Sequence, residues 1–185
     1  MASKIKTKRI FISYSRDDYK YAKDLFDYLS GLETSQNPKI DVFMDTEDIE
    51  SGENWEQKIF PALQSSSAFI CLYSKNYFRS SFINSKELPA IGAQVQNDNS
   101  KLYGVLIEQF PWKDRTYSDL RLGSQELLGP RDENQRPTPF KHLEKRKQED
   151  WLQSVYDKMK TLLAEFRAVD SLEADGRRGQ YASVA

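Results

Sequence analysis

Short apolar runs alternate along the chain with longer segments in which apolar residues recur every three or four positions. Such short, continuous runs are typical of strands that are buried on both faces. The predicted strands are residues 9–13, 40–44, 68–73 and 102–107, and the predicted helices begin near residues 17, 53, 85 and 151. Strands separated by helices require crossover connections, so the pattern predicts an α/β domain with a parallel sheet covered on both faces.

The segment 111–139 has no clean periodicity and is interrupted by prolines and glycines. We expect loops, short helical turns and a fifth, short strand there. A length of 185 residues favours one domain. The pattern divides the chain into an N-terminal extension at 1–8, a domain at 9–167, and a flexible tail or the start of a linker at 168–185.

Positive and negative charges are nearly balanced, with 27 Lys and Arg against 28 Asp and Glu and a net charge of −1. This balance argues against a strongly basic nucleic-acid binder. No apolar run is long enough to span a membrane or to form the core of a signal peptide. We therefore expect a cytoplasmic protein with neither a nucleic-acid partner nor a membrane partner.

Cysteine and histidine occur once each, as Cys71 and His142. A single cysteine excludes a disulfide scaffold and a multi-cysteine zinc site, and no metal site is predicted. Cys71 lies inside an apolar run, which favours a buried, inert thiol, and His142 lies in a polar segment, which favours the surface. The glycines form neither a dinucleotide-binding fingerprint nor a phosphate-binding loop.

Three segments carry motifs in an order that defines a family resemblance. The stretch Phe-Ile-Ser-Tyr-Ser-Arg-Asp-Asp at 11–18 resembles the first strand and loop of TIR domains, especially bacterial ones. The stretch Val-Phe-Met-Asp at 42–45 is similar to their second strand, which leads into their BB loop. The segment 73–88 is similar to the one that leads to their glutamate. The resemblance covers about residues 8–110, and it implies a flavodoxin-like fold with four to five parallel strands and helices on both faces.

TIR domains divide into two functional classes. Many bacterial and plant members cleave NAD+ at the nicotinamide–ribose bond and release nicotinamide with ADP-ribose or a cyclic isomer, in bacteria often for antiphage defence or signalling. Other members are non-catalytic scaffolds that bind further TIR domains. The resemblance favours an NAD+ nucleosidase or ADP-ribosyl cyclase with NAD+ as its substrate and no cofactor, and the scaffold is the alternative. The product could be linear or cyclic.

Glu87 is the candidate catalytic residue, because it stands at the position of the family's glutamate. Breaking the glycosidic bond of NAD+ develops positive charge on the ribose, and one carboxylate beside the sugar can stabilise that charge. The alternative is a solvated acid near a helix start. Catalytic relatives commonly carry Trp-Cys where this chain has Ile83 and Asn84.

Residues that follow the first two strands are predicted to bind the dinucleotide, because doubly wound sheets bind ligands at their carboxyl edge. The resemblance places Tyr14, Ser15, Arg16 and Asp45 there, with Tyr14 stacked on a ring and Arg16 at a phosphate. Trp112 resembles an aromatic at the pocket rim. The alternatives are a strand-end aromatic for Tyr14, a surface ion pair for Arg16 and loop capping for Asp45.

The acidic loop after the second strand corresponds to the BB loop. In the family this loop mediates assembly and lies over the site, which implies self-association through TIR–TIR contacts, with a sensor or effector protein as a further partner. The predicted assembly residues are Asp48, Ile49, Glu50, Ser51 and Gly52. Gly52 is predicted to supply a backbone angle that a side chain would forbid, and an ordinary solvated loop is the alternative.

Overall fold

The computed structural model describes residues 8–30, 40–45, 55–97, 100–113, 116–117, 120–122 and 125–181. Within this part of the chain, five strands form the central sheet and two form a separate antiparallel hairpin. The sheet strands are β1 (Lys8–Ser13), β2 (Ile40–Met44), β3 (Ser66–Tyr73), β4 (Lys101–Leu106) and β7 (Glu126–Leu128), and the hairpin strands are β5 (Thr116–Tyr117) and β6 (Leu120–Arg121).

The central sheet is parallel throughout, in the order β2-β1-β3-β4-β7. This is the doubly wound order of flavodoxin-like folds, in which the direction of winding reverses between the first and third strands. The register places Ser13, the last residue of β1, opposite Cys71 in β3. The predicted fold class is therefore confirmed, and β7 is the predicted fifth strand.

Five helices connect and cover the described strands. They are α1 (Tyr19–Ser30), α2 (Trp55–Gln64), α3 (Lys75–Arg79), α4 (Leu88–Asn97) and α5 (Lys145–Tyr181). A 3-10 turn at Arg16–Asp18 precedes α1, and a π-helical turn at Ile83–Glu87 precedes α4. The helix predicted near residue 85 is thus divided into a π turn and an α-helix, which hydrophobic periodicity alone cannot distinguish.

The last helix is longer than predicted at both ends. It begins at Lys145 and continues to Tyr181, through most of the segment predicted to be a flexible tail. This segment contains no proline and includes the strong helix formers Leu172, Glu173 and Ala174, so nothing in it forces the helix to stop. Residues 168–181 are therefore helical, and the division of the chain at residue 167 stays a prediction. None of the described helices is long and apolar enough to cross a membrane.

Two hydrophobic clusters cover the two faces of the sheet. Successive residues of a strand point to opposite faces. Accordingly Ile10 and Ile12 pack in one cluster with residues of α1 and α5, whereas Phe11 packs in the other with residues of α2 and α4. Because both faces are covered, ligands can approach the sheet only at its edges, and the loops at the carboxyl edge hold the candidate site.

Candidate functional site at the carboxyl edge of the sheet

The loops after β1 and β2 are joined by one hydrogen bond. The Tyr14 hydroxyl donates to the backbone carbonyl of Asp45. Tyr14 is half-buried, and its ring centroid lies 6.3 Å from that of Tyr19. Burial, reinforced by the Asp45 charge, raises the pKa of Tyr14 to about 12, so its phenol stays protonated at neutral pH. Two residues predicted to bind substrate are therefore brought together.

The loops after β1 and β3 are joined through Asp18, which the sequence motifs did not single out. The Ser74 hydroxyl donates to the Asp18 carboxylate over 2.5 Å and accepts a 2.9 Å hydrogen bond from the Tyr77 amide. Burial raises the pKa of Asp18, and the hydrogen bond from Ser74 opposes that rise. The bond spans the strands between which the winding reverses. Ser74 is the N-cap residue of α3, and because serine is preferred at N-caps, this position could have been noticed in the sequence.

Glu87 is the last residue of the π-helical turn, and its side chain is buried, with 6% of the residue exposed. The turn is closed by the Leu88 amide, which donates to the carbonyl of Ile83. π turns inside helices occur frequently at functional sites. The alternative of a solvated acid near a helix start is corrected, because Glu87 is buried.

Burial raises the pKa of Glu87 from 4.5 to about 7. A hydrogen bond from Ser13 lowers it, and the charge of Asp45 raises it further. The charge of Glu87 in turn raises the pKa of Tyr14, as the smallest of its causes. The structure therefore assembles Tyr14, Asp45 and Glu87 in one electrostatic environment. A carboxyl with this pKa can take up or release a proton near neutral pH.

The two positions where this chain departs from the family pattern have structural roles. Ile83 is buried in the hydrophobic cluster on the α2 and α4 face. The side-chain amide of Asn84 donates to the carbonyls of Phe78 and Ser80 at 2.9 and 2.7 Å. These carbonyls lie at the C-terminal end of α3, so Asn84 satisfies the end of one helix while it forms part of the π turn that carries Glu87.

Ser15 and Arg16 lie directly after Tyr14. Ser15 is buried, and its carbonyl accepts a 2.7 Å hydrogen bond from the Asp18 amide, which closes the 3-10 turn. Arg16 is exposed, and its positive charge lowers the pKa of Tyr14 against the effect of burial. Arg16 is thus placed near Tyr14 with its side chain open to solvent, where an anionic group could approach it.

Trp112 does not lie at a rim. It is 4% exposed, and its ring centroid lies 5.6 Å from that of Tyr73, inside the hydrophobic cluster on the α2 and α4 face. The prediction that Trp112 lines the pocket is therefore corrected to a packing role. Its position after a Phe-Pro pair resembled a loop in sequence, but the apolar ring gains more by burial against Tyr73.

The remaining predicted residues lie in the core, at the surface or outside the described residues. Cys71 is fully buried, which confirms the inert thiol, and burial raises its pKa to about 12. His142 is exposed in a 3-10 turn at Phe140–His142. The BB-loop residues Asp48, Ile49, Glu50, Ser51 and Gly52 lie outside the described residues. Among the residues that are described, no three His, Cys, Asp or Glu side chains are grouped as a metal site would require.

The parallel sheet and the acidic and aromatic side chains at its carboxyl edge define a doubly wound α/β domain with a candidate ligand site at that edge. The family model of the TIR domain matches residues 10–130, which is more than half of the chain. The chain therefore belongs to the TIR domain family. A search of curated proteins found no match.

Two solved structures are similar to parts of the chain. The TIR domains of the activated Roq1 resistosome, which directly recognises the pathogen effector XopQ, are 20% identical, with 55% of this chain and 59% of that chain covered and a TM-score of 0.42. The TIR domain of the Toll-related receptor TRR-2 from Hydra magnipapillata is 14% identical, with 64% and 82% covered and a TM-score of 0.39. The chain thus matches less than two thirds of the Roq1 chain.

Proposed function

We propose that this TIR domain cleaves NAD+ at the bond between nicotinamide and ribose. The observation that carries the proposal is the environment of Glu87, a buried carboxyl that interacts with Tyr14 and Asp45 at the carboxyl edge of the sheet. Doubly wound sheets bind their ligands at this edge. A carboxyl whose pKa is raised in such a place is a candidate catalytic group.

The bond that breaks is the one between C1′ of the ribose and the pyridinium nitrogen. Its electron pair passes to the nitrogen, so nicotinamide leaves as a neutral base and needs no proton from the protein. Positive charge remains on the ribose, and water or a nitrogen of the adenine then bonds to C1′. With water the attacking oxygen loses a proton to solvent and the product is ADP-ribose. With adenine the ring nitrogen bonds to C1′, the adenine loses a proton to solvent, and the product is a cyclic isomer.

Glu87 acts in its ionised form in this reaction. A carboxylate beside the ribose stabilises the positive charge as it appears, in a site where burial makes the interaction stronger than in water. With a pKa of about 7, roughly half of the Glu87 side chains are ionised at pH 7 in the free protein.

Tyr14 and Arg16 bind the dinucleotide in this proposal. Tyr14 offers a half-buried ring whose hydroxyl is fixed by the Asp45 carbonyl, which suits stacking on a base or on nicotinamide. Arg16 is exposed next to it and suits the pyrophosphate. Asp45 places its charge near Glu87, and its backbone carbonyl accepts the hydrogen bond from Tyr14.

Assembly is part of the proposal. By resemblance, the BB loop at 48–52 of one copy completes the site of the next, so the active form is a self-associated TIR assembly. Such an enzyme serves antiphage defence or signalling in the cytoplasm, and a sensor or effector protein brings the copies together. The resistosome is a property of Roq1, whereas the proposed assembly of this chain rests on its own BB loop.

The alternative is a TIR scaffold without catalysis, and one observation favours it. Ile83 and Asn84 replace the Trp-Cys pair that catalytic relatives commonly carry, and both are used for packing and helix capping. A chain that binds only other TIR domains needs no aromatic at that position.

The test is to incubate the purified protein at high concentration with NAD+ and to resolve nicotinamide from the ribosyl product by chromatography. NADH is the matched control, because its uncharged dihydronicotinamide is a poor leaving group. We expect nicotinamide from NAD+ and no cleavage of NADH. Intact NAD+ at every protein concentration, including after the copies are clustered on beads, would favour the scaffold.

A further inference from the structure

A line of polar side chains passes through the otherwise apolar interior next to Glu87. Ser13 is 1% exposed, Tyr77 and Cys71 are fully buried, and the two hydroxyl oxygens of Ser13 and Tyr77 lie 2.7 Å apart. Ser13 ends β1, Cys71 lies opposite it in β3, and Tyr77 comes from α3. Residues of β1, β3 and α3 thus form one buried polar cluster next to the π turn that carries Glu87.

When Glu87 is ionised, the number of available hydroxyl protons determines which of Ser13, Tyr77 and Glu87 donates each hydrogen bond and which accepts it. Ser13 is the neighbour that lowers the pKa of Glu87, and because a carboxylate only accepts, a hydrogen bond between the two uses the single proton of the Ser13 hydroxyl. The 2.7 Å contact between Ser13 and Tyr77 then needs the Tyr77 proton. The Cys71 thiol is a further partner of Tyr77. Both hydroxyls therefore point toward the carboxylate, and hydrogen bonds aligned in one direction strengthen one another.

We propose that Ser13 and Tyr77 are positioning residues, which form a hydrogen-bond relay that holds the Glu87 carboxylate in one orientation and favours its ionised form. The proposal rests on the proposed function for its catalytic consequence. The relay is inside the core, so neither residue contacts NAD+. Its effect on cleavage passes through Glu87 alone.

Apart from Ser13, the groups that face Glu87 do not favour its ionised form. Burial opposes ionisation, and the Asp45 charge from the loop after β2 opposes it further. Tyr14 and Tyr77 also interact electrostatically with Glu87, as does Cys71, and the pKa of each of these three groups is raised, so all of them remain uncharged at neutral pH. Among these neighbours, Ser13 is the group that favours the carboxylate.

The experiment measures the pKa of Glu87 directly in the full chain without NAD+. Protein labelled with 13C at the glutamate side-chain carboxyl carbons is titrated by NMR, and Glu87→Gln assigns the signal. The variants are Ser13→Ala and Tyr77→Phe. Tyr73→Phe is the matched control, because Tyr73 is equally buried beside Tyr77 and its hydroxyl has no hydrogen-bond partner in the described part of the chain.

We expect Ser13→Ala to raise the pKa of Glu87 by about one pH unit, the size of one charge-assisted hydrogen bond. Tyr77→Phe should raise it by about half as much, since it acts through Ser13, and Tyr73→Phe should leave it unchanged. The pH dependence of NAD+ cleavage should move with the NMR titration. Equal pKa values in the parent, Ser13→Ala and Tyr77→Phe would overturn the relay. Because the titration needs no turnover, a shifted pKa without any NAD+ cleavage would support the relay and contradict the proposed function.

Discussion

The Ser74 hydroxyl lies 2.5 Å from the Asp18 carboxylate and bridges the loops that follow β1 and β3. The same hydroxyl accepts from the Tyr77 amide and so caps α3. One small side chain thereby joins the loop that carries Tyr14 to the helix that carries Tyr77. The parts of the site are held together by a contact in which no candidate catalytic group takes part.

Ser74→Ala is therefore expected to lower the free energy of unfolding by about 1–3 kcal/mol, because it removes an N-cap and leaves the buried Asp18 without this donor. Urea denaturation followed by circular dichroism measures the change. Ser154→Ala is the matched control: Ser154 lies on the exposed face of α5, where its hydroxyl bonds only to the backbone of its own helix. A Ser74 variant as stable as the Ser154 variant would contradict this role.

Glu87 makes the stability of the protein depend on pH. Its pKa is about 7 in the folded state against 4.5 for an ordinary glutamate, so the folded state holds the proton more tightly. The free energy of unfolding therefore falls as pH rises from about 4.5 through about 7. A difference of this size corresponds to about 3 kcal/mol.

Glu87→Gln removes this dependence, because glutamine has no proton to lose. Relative to the parent, the variant should gain about 3 kcal/mol between pH 4.5 and pH 8, as measured by urea denaturation at each pH. Glu133→Gln, at an exposed position, should follow the parent throughout. A constant difference between Glu87→Gln and the parent across this range would mean that Glu87 titrates normally.

The strands could be predicted from the sequence because both faces of the sheet are covered, so each strand is a continuous apolar run. Ser13 and Glu87 show the limit of that reasoning. Ser13 is a polar residue at the end of such a run, and only the register with β3 places it beside Cys71 and Tyr77. The burial of Glu87 depends on the π turn, whose extra residue per turn leaves no mark in a three- to four-residue pattern.

The predicted position of Trp112 at a pocket rim was wrong because the sequence does not show which residues the fold places next to it. A tryptophan in an irregular segment can lie at a pocket or fill the core, and the choice depends on what the fold places next to it. Here Tyr73 is the neighbour. Residues at strand ends, such as Tyr14 and Asp45, were easier to place because the topology brings the carboxyl ends of parallel strands together.

Arg16→Ala should weaken NAD+ binding if Arg16 meets a phosphate. One charge-assisted hydrogen bond is typically worth about 1.5–3 kcal/mol, which corresponds to a rise in KM of about tenfold or more with little change in kcat. Steady-state kinetics measures both constants. Arg146→Ala, at an exposed position in the first turn of α5, is the control. An unchanged KM in the Arg16 variant would exclude Arg16 from the dinucleotide site.

Self-association should make the specific activity depend on protein concentration. We expect low activity in dilute solution and higher activity when copies are clustered on a support. Gly52→Val should reduce the clustered activity if Gly52 has the positive φ that the sequence predicts, since a β-branched residue is penalised by roughly 1–2 kcal/mol at such a loop position. Light scattering of the same samples reports assembly. Specific activity that stays constant over a hundredfold dilution would contradict an assembled active form.

The most direct test of the account is the turnover of Glu87→Gln. Glutamine keeps the size and hydrogen bonding of the side chain but removes the negative charge that stabilises the ribose cation. Losing such a contribution commonly lowers kcat by about 10²–10³, and NAD+ binding should change much less because the ground state carries its positive charge on nicotinamide. With circular dichroism to confirm folding and Glu133→Gln as the control, we predict that nicotinamide release falls by at least a hundredfold in the Glu87 variant. Release at the parent's rate by the folded variant would contradict the catalytic role of Glu87.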